Sequence, residues 1–135
     1  MTQTIGTARR SISRAIKESR DWCKEGEPSK GVACLQAVES LAIKLRDPMA
    51  ERGLMRAMSA CYRAQGATQD AIACLLRGID ISSQIGAYTG DADMFGEIGD
   101  LYVELGDYDA AQLYYDECLK ALDEDKTTVV TDWDC

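Results

Sequence analysis

The side chains able to do chemistry in this 135-residue chain are thiols, carboxylates and basic groups, with no histidine among them. Without an imidazole, acid–base work near neutral pH has no ready donor. The six cysteines are Cys23, Cys34, Cys61, Cys74, Cys118 and Cys135. No two of them form a CxxC pair, so metal ligation has no spacing to support it. An even count is compatible with disulfides, yet neither a secretory signal nor a small-scaffold pattern accompanies it. Packed free thiols in the cytoplasm or another reducing compartment are expected. A thiol such as Cys23 or Cys61 would sense redox state only with a depressed pKa. No glycine motif cradles a phosphate. Neither a catalytic centre nor a cofactor or metal site is expected.

Charge is sorted along the chain. Residues 1–68 hold 12 basic and 7 acidic side chains, a net of +5, whereas residues 69–135 hold 3 basic and 16 acidic, a net of −13. The total is −8. Such a split bears on partners and association rate rather than on fold. No stretch approaches the roughly 18 apolar residues needed to span a bilayer.

The elements that must position these charges are written in a 40-residue register. Gly26, Gly66 and Gly106 recur at that step, each preceded four residues earlier by Trp22, Tyr62 or Tyr102. The same step joins Ser19, Ser59 and Gly99, then Gly31, Ala71 and Ala111, then Leu35, Leu75 and Tyr115. One helix-turn-helix unit has been used three times. The small residues let paired helices approach, and the large ones fill the space between them. Each glycine stands where the chain leaves one helix and enters another within three residues, a turn that favours left-handed backbone.

Six helices follow from the pattern. The first is expected over about Thr7–Lys24 and the second over Pro28–Leu45. Asp47 is expected to cap the third, with Pro48 at its first position and Gly66 at its end. Thr68 is expected to cap the fourth, which reaches about Ile85 before Gly86. The fifth is expected over Asp91–Leu105, and the sixth, capped by Asp107, over Tyr108 to about Leu122. Residues 2–17 carry Arg9, Arg10, Arg14 and Lys17 and no acid, which superficially resembles an organelle-import peptide. Because Ser19, Trp22 and Gly26 continue that segment into the first repeat, a structural helix is expected there instead, although organelle import stays open.

These residues resemble the tetratricopeptide repeat family. The best match is residues 98–122, with Ile98, Gly99, Tyr102, Gly106, Tyr108, Ala111 and Tyr115. The second repeat keeps Met58, Tyr62, Gly66, Ala71 and Leu75, with Thr68 where an aromatic is usual. The first departs most, at Glu18, Pro28 and Gly31. The spacing is similar to the 40-residue subtype of cell-polarity scaffolds such as LGN/Pins. The resemblance implies an all-α fold of three stacked helix-turn-helix repeats forming a right-handed α-solenoid. It places repeats at about 9–48, 49–88 and 89–124 in a single domain over 1–124, followed by a flexible acidic tail over 125–135.

In that family the first helix of each pair lines a concave face. The geometry then implies Ser13, Ile16, Lys17, Arg20 and Lys24 from the first repeat. The second supplies Arg56, Ala57, Ala60 and Arg63, and the third Asp93, Glu97, Asp100, Val103 and Glu104. The groove would be basic at one end and acidic at the other. Chaperone-binding members hold a terminal carboxylate at places that here are Ile16, Arg20, Ala57, Asp93 and Glu97. Only Arg20 is a suitable donor there and two acids would repel the ligand, so that sub-function is not expected.

The function implied is a non-catalytic adaptor binding a peptide or helix of a protein partner. Two alternatives stand beside it: nucleic-acid binding through the basic first half, which the overall charge disfavours, and a redox-sensitive thiol protein. The tail offers a route to self-association, its acidic strip and Trp133 docking on Lys17, Arg20 and Arg56. The abrupt end of the array also fits a piece of a longer protein.

Overall fold

Helices one to five each end at a residue with left-handed backbone, a glycine at four of the five ends and Arg46 at the other. The computed structural model describes the backbone of residues 2–86 and 91–130 and the side chains of residues 5–86 and 91–123. It contains α1 (Thr2–Lys24), α2 (Pro28–Leu45), α3 (Pro48–Ala64), α4 (Thr68–Ile85), α5 (Asp91–Leu105) and α6 (Tyr108–Val130). Among the described residues there is no strand.

The turn inside each helix pair is the same motif three times. Gly26, Gly66 and Gly106 have φ of 81°, 79° and 79°. The residue after each glycine donates its N–H to the carbonyl of the aromatic: Glu27 to Trp22 at 2.8 Å, Ala67 to Tyr62 at 2.9 Å and Asp107 to Tyr102 at 2.9 Å. Each glycine N–H in turn reaches the carbonyl of Cys23, Arg63 or Val103. This double closure satisfies carbonyls that a helix end otherwise leaves unpaired. The 40-residue recurrence of aromatic and glycine is the imprint of that motif.

Helix starts use two devices. Asp47 and Asp107 accept hydrogen bonds from the N–H groups of Ala50, at 3.2 Å, and Ala110, at 3.1 Å, through their side chains. Pro48 and Pro28 occupy first turns. Thr68 does not cap α4: Ala67 holds the cap position and makes no side-chain bond, with Thr68 already helical. The glycine turn leaves a single residue before the next helix, and here that residue is an alanine.

Two helices are longer than expected. α1 begins at Thr2; no proline interrupts it, and Gly6 costs a helix only about 1 kcal/mol. α6 runs past Leu122 to Val130, so the expected flexible tail begins as helix. Neither glycine nor proline follows Leu122, and the Asp, Glu and Lys there offer no stop signal. Val129 and Val130 lie in that helical extension, while Trp133 and the docking expected of the tail lie outside the described residues.

The described residues form two compact units, Met1–Gly86 and Ala87–Cys135. In the first, α1 packs on α2 and α3, α2 on α3, and α3 on α4. Its core holds Ile12, Ala15, Val32, Leu35, Leu54, Met55, Met58 and Ile81. Small residues set the helix spacing: Ser19 is buried on α1 opposite Gly31 on α2, where an added Cβ would lie 3.1 Å from the Ser19 carbonyl oxygen. Ser59 repeats the arrangement, its hydroxyl donating to the Ala71 carbonyl at 2.9 Å. In the second unit α5 packs on α6, burying Met94, Ile98, Leu101 and Ala111. Tyr102 stacks on Tyr114 with centroids 5.5 Å apart, and Phe95 lies 6.4 Å from the same ring.

Candidate binding surface

Helical periodicity decides which charges reach solvent. On α1 the buried positions are Ile12, Ala15 and Ser19, and Lys17, Arg20 and Lys24 follow on an exposed stripe at spacings of three and four. These three cations form no ion pair among the described residues. On α3, Arg63 is exposed and Arg56 is half-buried. Ile16 is half-buried between the helices, 3.7 Å from where a Cβ on Gly53 would stand. Ser13 and Ala60 are exposed and Ala57 is half-buried. The basic candidates therefore all belong to the first unit, on two helices that pack against each other.

The acidic candidates belong to the second unit. Asp93, Glu97, Asp100 and Glu104 recur along α5 at spacings of four, three and four, with Glu97 half-buried and the others exposed. Asp100 differs from the rest, because its carboxylate accepts the Tyr115 hydroxyl from α6. Part of its acceptor capacity is spent within the helix pair, which the charge pattern alone did not reveal. Val103 is exposed beside them.

Other charged side chains are tied to neighbouring elements. Arg77 of α4 bridges Glu51 of α3 at 3.1 Å and Asp80 at 3.0 Å. Arg52 donates to the Ser82 hydroxyl at 2.9 Å, and Arg9 pairs with Asp47 at 3.2 Å. Lys30 sits 4.7 Å over the Trp22 ring. None of these contacts involves Lys17, Arg20 or Lys24.

Two of the thiols are held protonated by their surroundings. Burial, then the neighbouring Cys23, pushes Cys61 up to about 12. Burial, then Asp70 and Glu39, pushes Cys74 up to about 11. Both stay protonated at neutral pH, the opposite of an activated nucleophile. Cys23 and Cys61, singled out separately from sequence, are in contact. The signal was available: Cys23 follows Trp22 and Cys61 precedes Tyr62, so adjacent repeats bring the two to neighbouring places.

No helix among the described residues is long and apolar enough to cross a membrane. The chain is 29% identical over 110 residues to the protein FLUORESCENT IN BLUE LIGHT, chloroplastic, of Arabidopsis thaliana. That match covers 82% of this chain and 35% of the relative, so the chain spans about a third of the relative's length. It is similar to the crystal structure of the TPR domain of Arabidopsis FLU, with a TM-score of 0.79 and 26% identity over 87% of this chain and 98% of that one. The fold is shared with BtubC (BKLC) from P. vanneervenii, at a TM-score of 0.69 and 19% identity, covering 91% of this chain and 57% of that one. Tetratricopeptide repeats are typically non-catalytic and generally mediate protein–protein interaction. The family model for the tetratricopeptide repeat matches residues 51–124, more than half of the chain, and the three identical turns and paired helices agree with it: the chain belongs to the tetratricopeptide repeat family.

Proposed function

We propose that the chain is a non-catalytic adaptor that holds a peptide or helix of a protein partner along the first helices of its three pairs. The three repeats act together in this reading as one binding domain. Lys17, Arg20, Lys24, Arg56 and Arg63 form the basic end, and Asp93, Glu97, Asp100 and Glu104 the acidic end. The observation that carries the reading is the exposed stripe of Lys17, Arg20 and Lys24, which forms no ion pair among the described residues. Acidic partner residues would be attracted to the basic stripe of the first unit and basic ones to the carboxylates of α5, and like charges at either would lose affinity. Ile16, Ala57, Ala60 and Val103 would contribute the salt-insensitive part of the affinity. The spacing shared with cell-polarity scaffolds supports a scaffolding role. The free thiols support a reducing compartment, and the chloroplastic relative makes an organelle a candidate location.

The test is capture of a partner by the intact protein, scored by mass spectrometry beside three variants. Lys17→Glu with Arg20→Glu, and Arg56→Glu with Arg63→Glu, are each expected to abolish capture. Asp70→Lys with Asp116→Lys, on the outer helices, is expected to leave it intact. Equal capture by all three variants would place the site elsewhere.

A further inference from the structure

Two thiols that the binding role does not use touch inside the first unit. Cys23 lies half-buried in the last turn of α1, and Cys61 is buried on α3. Their sulfurs are 3.1 Å apart and both are free, roughly 1 Å beyond the covalent S–S length of about 2.05 Å. Cys61 is held in this place from two other directions. Its Sγ lies 4.0 Å from the Ser19 carbonyl oxygen on α1, and a Cβ on Gly31 of α2 would stand only 2.8 Å from it. Gly31, one of the three positions where the first repeat departs from the family pattern, is therefore the opening that admits the Cys61 sulfur beside Cys23.

We propose that Cys23 and Cys61 are a redox pair whose oxidation forms an intramolecular disulfide stapling α1 to α3. The oxidant is a small-molecule disulfide of the glutathione class. The Cys23 thiolate, on the more accessible sulfur, attacks one sulfur of the oxidant, forming a mixed disulfide and expelling one thiolate. Cys61 then gives up its proton and attacks the Cys23 sulfur, expelling the second thiolate. Two protein thiols are oxidised, the small disulfide is reduced to two thiols, and the two protons pass to the leaving groups. Burial keeps Cys61 protonated and out of direct attack, and the next contribution to that protonation is Cys23 itself. Capping Cys23 as a mixed disulfide removes its negative charge from beside Cys61 at the moment Cys61 must ionise. The staple joins positions 38 apart in sequence, a loop long enough for a substantial loss of unfolded-state freedom.

The other thiols are placed differently. Cys34 faces the Glu18 carboxylate at 4.0 Å, and Cys118 lies in the second unit beside Gly96.

The experiment treats the folded full-length protein with oxidised glutathione and maps linked peptides by mass spectrometry. The expected product is a single Cys23–Cys61 link, with loss of two hydrogens and a melting temperature higher by on the order of 10 °C, all reversed by dithiothreitol. Cys61→Ala is expected to stop at a glutathione adduct on Cys23, and Cys23→Ala to give neither link nor adduct at Cys61. If excess oxidant leaves Cys23 and Cys61 unlinked in protein that circular dichroism shows to be folded, the proposal fails. A Cys34–Cys61 link as the main product overturns it equally. Should either variant fold poorly, the wild-type linkage map alone decides.

Discussion

The first and third helix pairs each set a glycine against the facing helix, but at different places in the repeat. In α1–α2 the small residue is Gly31 on the second helix, and it receives the Ser19 backbone and the Cys61 sulfur. In α5–α6 it is Gly99 on the first helix, where an added Cβ would stand 2.6 Å from the Tyr115 ring. The positions are equivalent by the 40-residue register: Ser19 matches Gly99, and Leu35 matches Tyr115. The third repeat thus carries tyrosine where the first has leucine, and glycine where the first has serine. In the third pair the glycine makes room for the larger ring, as close packing requires. The larger tyrosine also brings a hydroxyl that reaches Asp100, a polar tie between α5 and α6.

Breaking this exchange should give the largest effect. Gly99→Ser alone forces the serine Cβ against the Tyr115 ring and is expected to cost about 2–3 kcal/mol in urea unfolding. Adding Tyr115→Leu recreates the serine–leucine combination of the first pair. The double variant should recover more than half of that loss, and a purely additive cycle would show that the two positions do not share one volume. Next in size is Gly106→Val. Its φ of 79° places a β-branched residue in left-handed backbone, expected to cost more than about 1 kcal/mol; an unchanged melting temperature would contradict this. The smallest effect sharpens a second comparison, between the turns joining consecutive pairs. Gly86 takes φ of 68° in one, and in the other Arg46 sits 40 residues earlier at φ of 50°. Arg46→Gly should stabilise by roughly 0.5 kcal/mol by relieving that conformation, read as a higher urea midpoint at constant slope.

What could be read from sequence followed the strength of local chemistry. Gly66 and Asp107 mark helix ends through backbone conformation and capping, both short-range, and the helices fall accordingly. The charged stripes of α1 and α5 were legible too, since one helical period decides exposure. The end of α6 was not legible, because nothing in its last residues opposes a helix and only absent tertiary contacts would argue for a stop. Thr68 looked like a cap by residue type, but the fixed one-residue turn assigned that place to Ala67. The bonds between Asp100 and Tyr115, and between the Cys23 and Cys61 sulfurs, depend on rotamers across a helix interface. A one-dimensional period locates such residues near each other without saying that they touch.

In the proposed binding mode the first helices of the pairs carry the binding surface and the second helices support them. The most direct measurement is backbone amide chemical-shift mapping of the isotope-labelled protein during titration with the segment captured by the wild type, at low and high salt. Shifts are expected to concentrate on α1, α3 and α5, centred on Lys17, Arg20 and Arg56 in the first unit and Asp93 and Glu97 in the second, and binding is expected to weaken as salt shortens the Debye length to about 8 Å and below. Shifts confined to α2, α4 and α6, with affinity indifferent to salt, would contradict it.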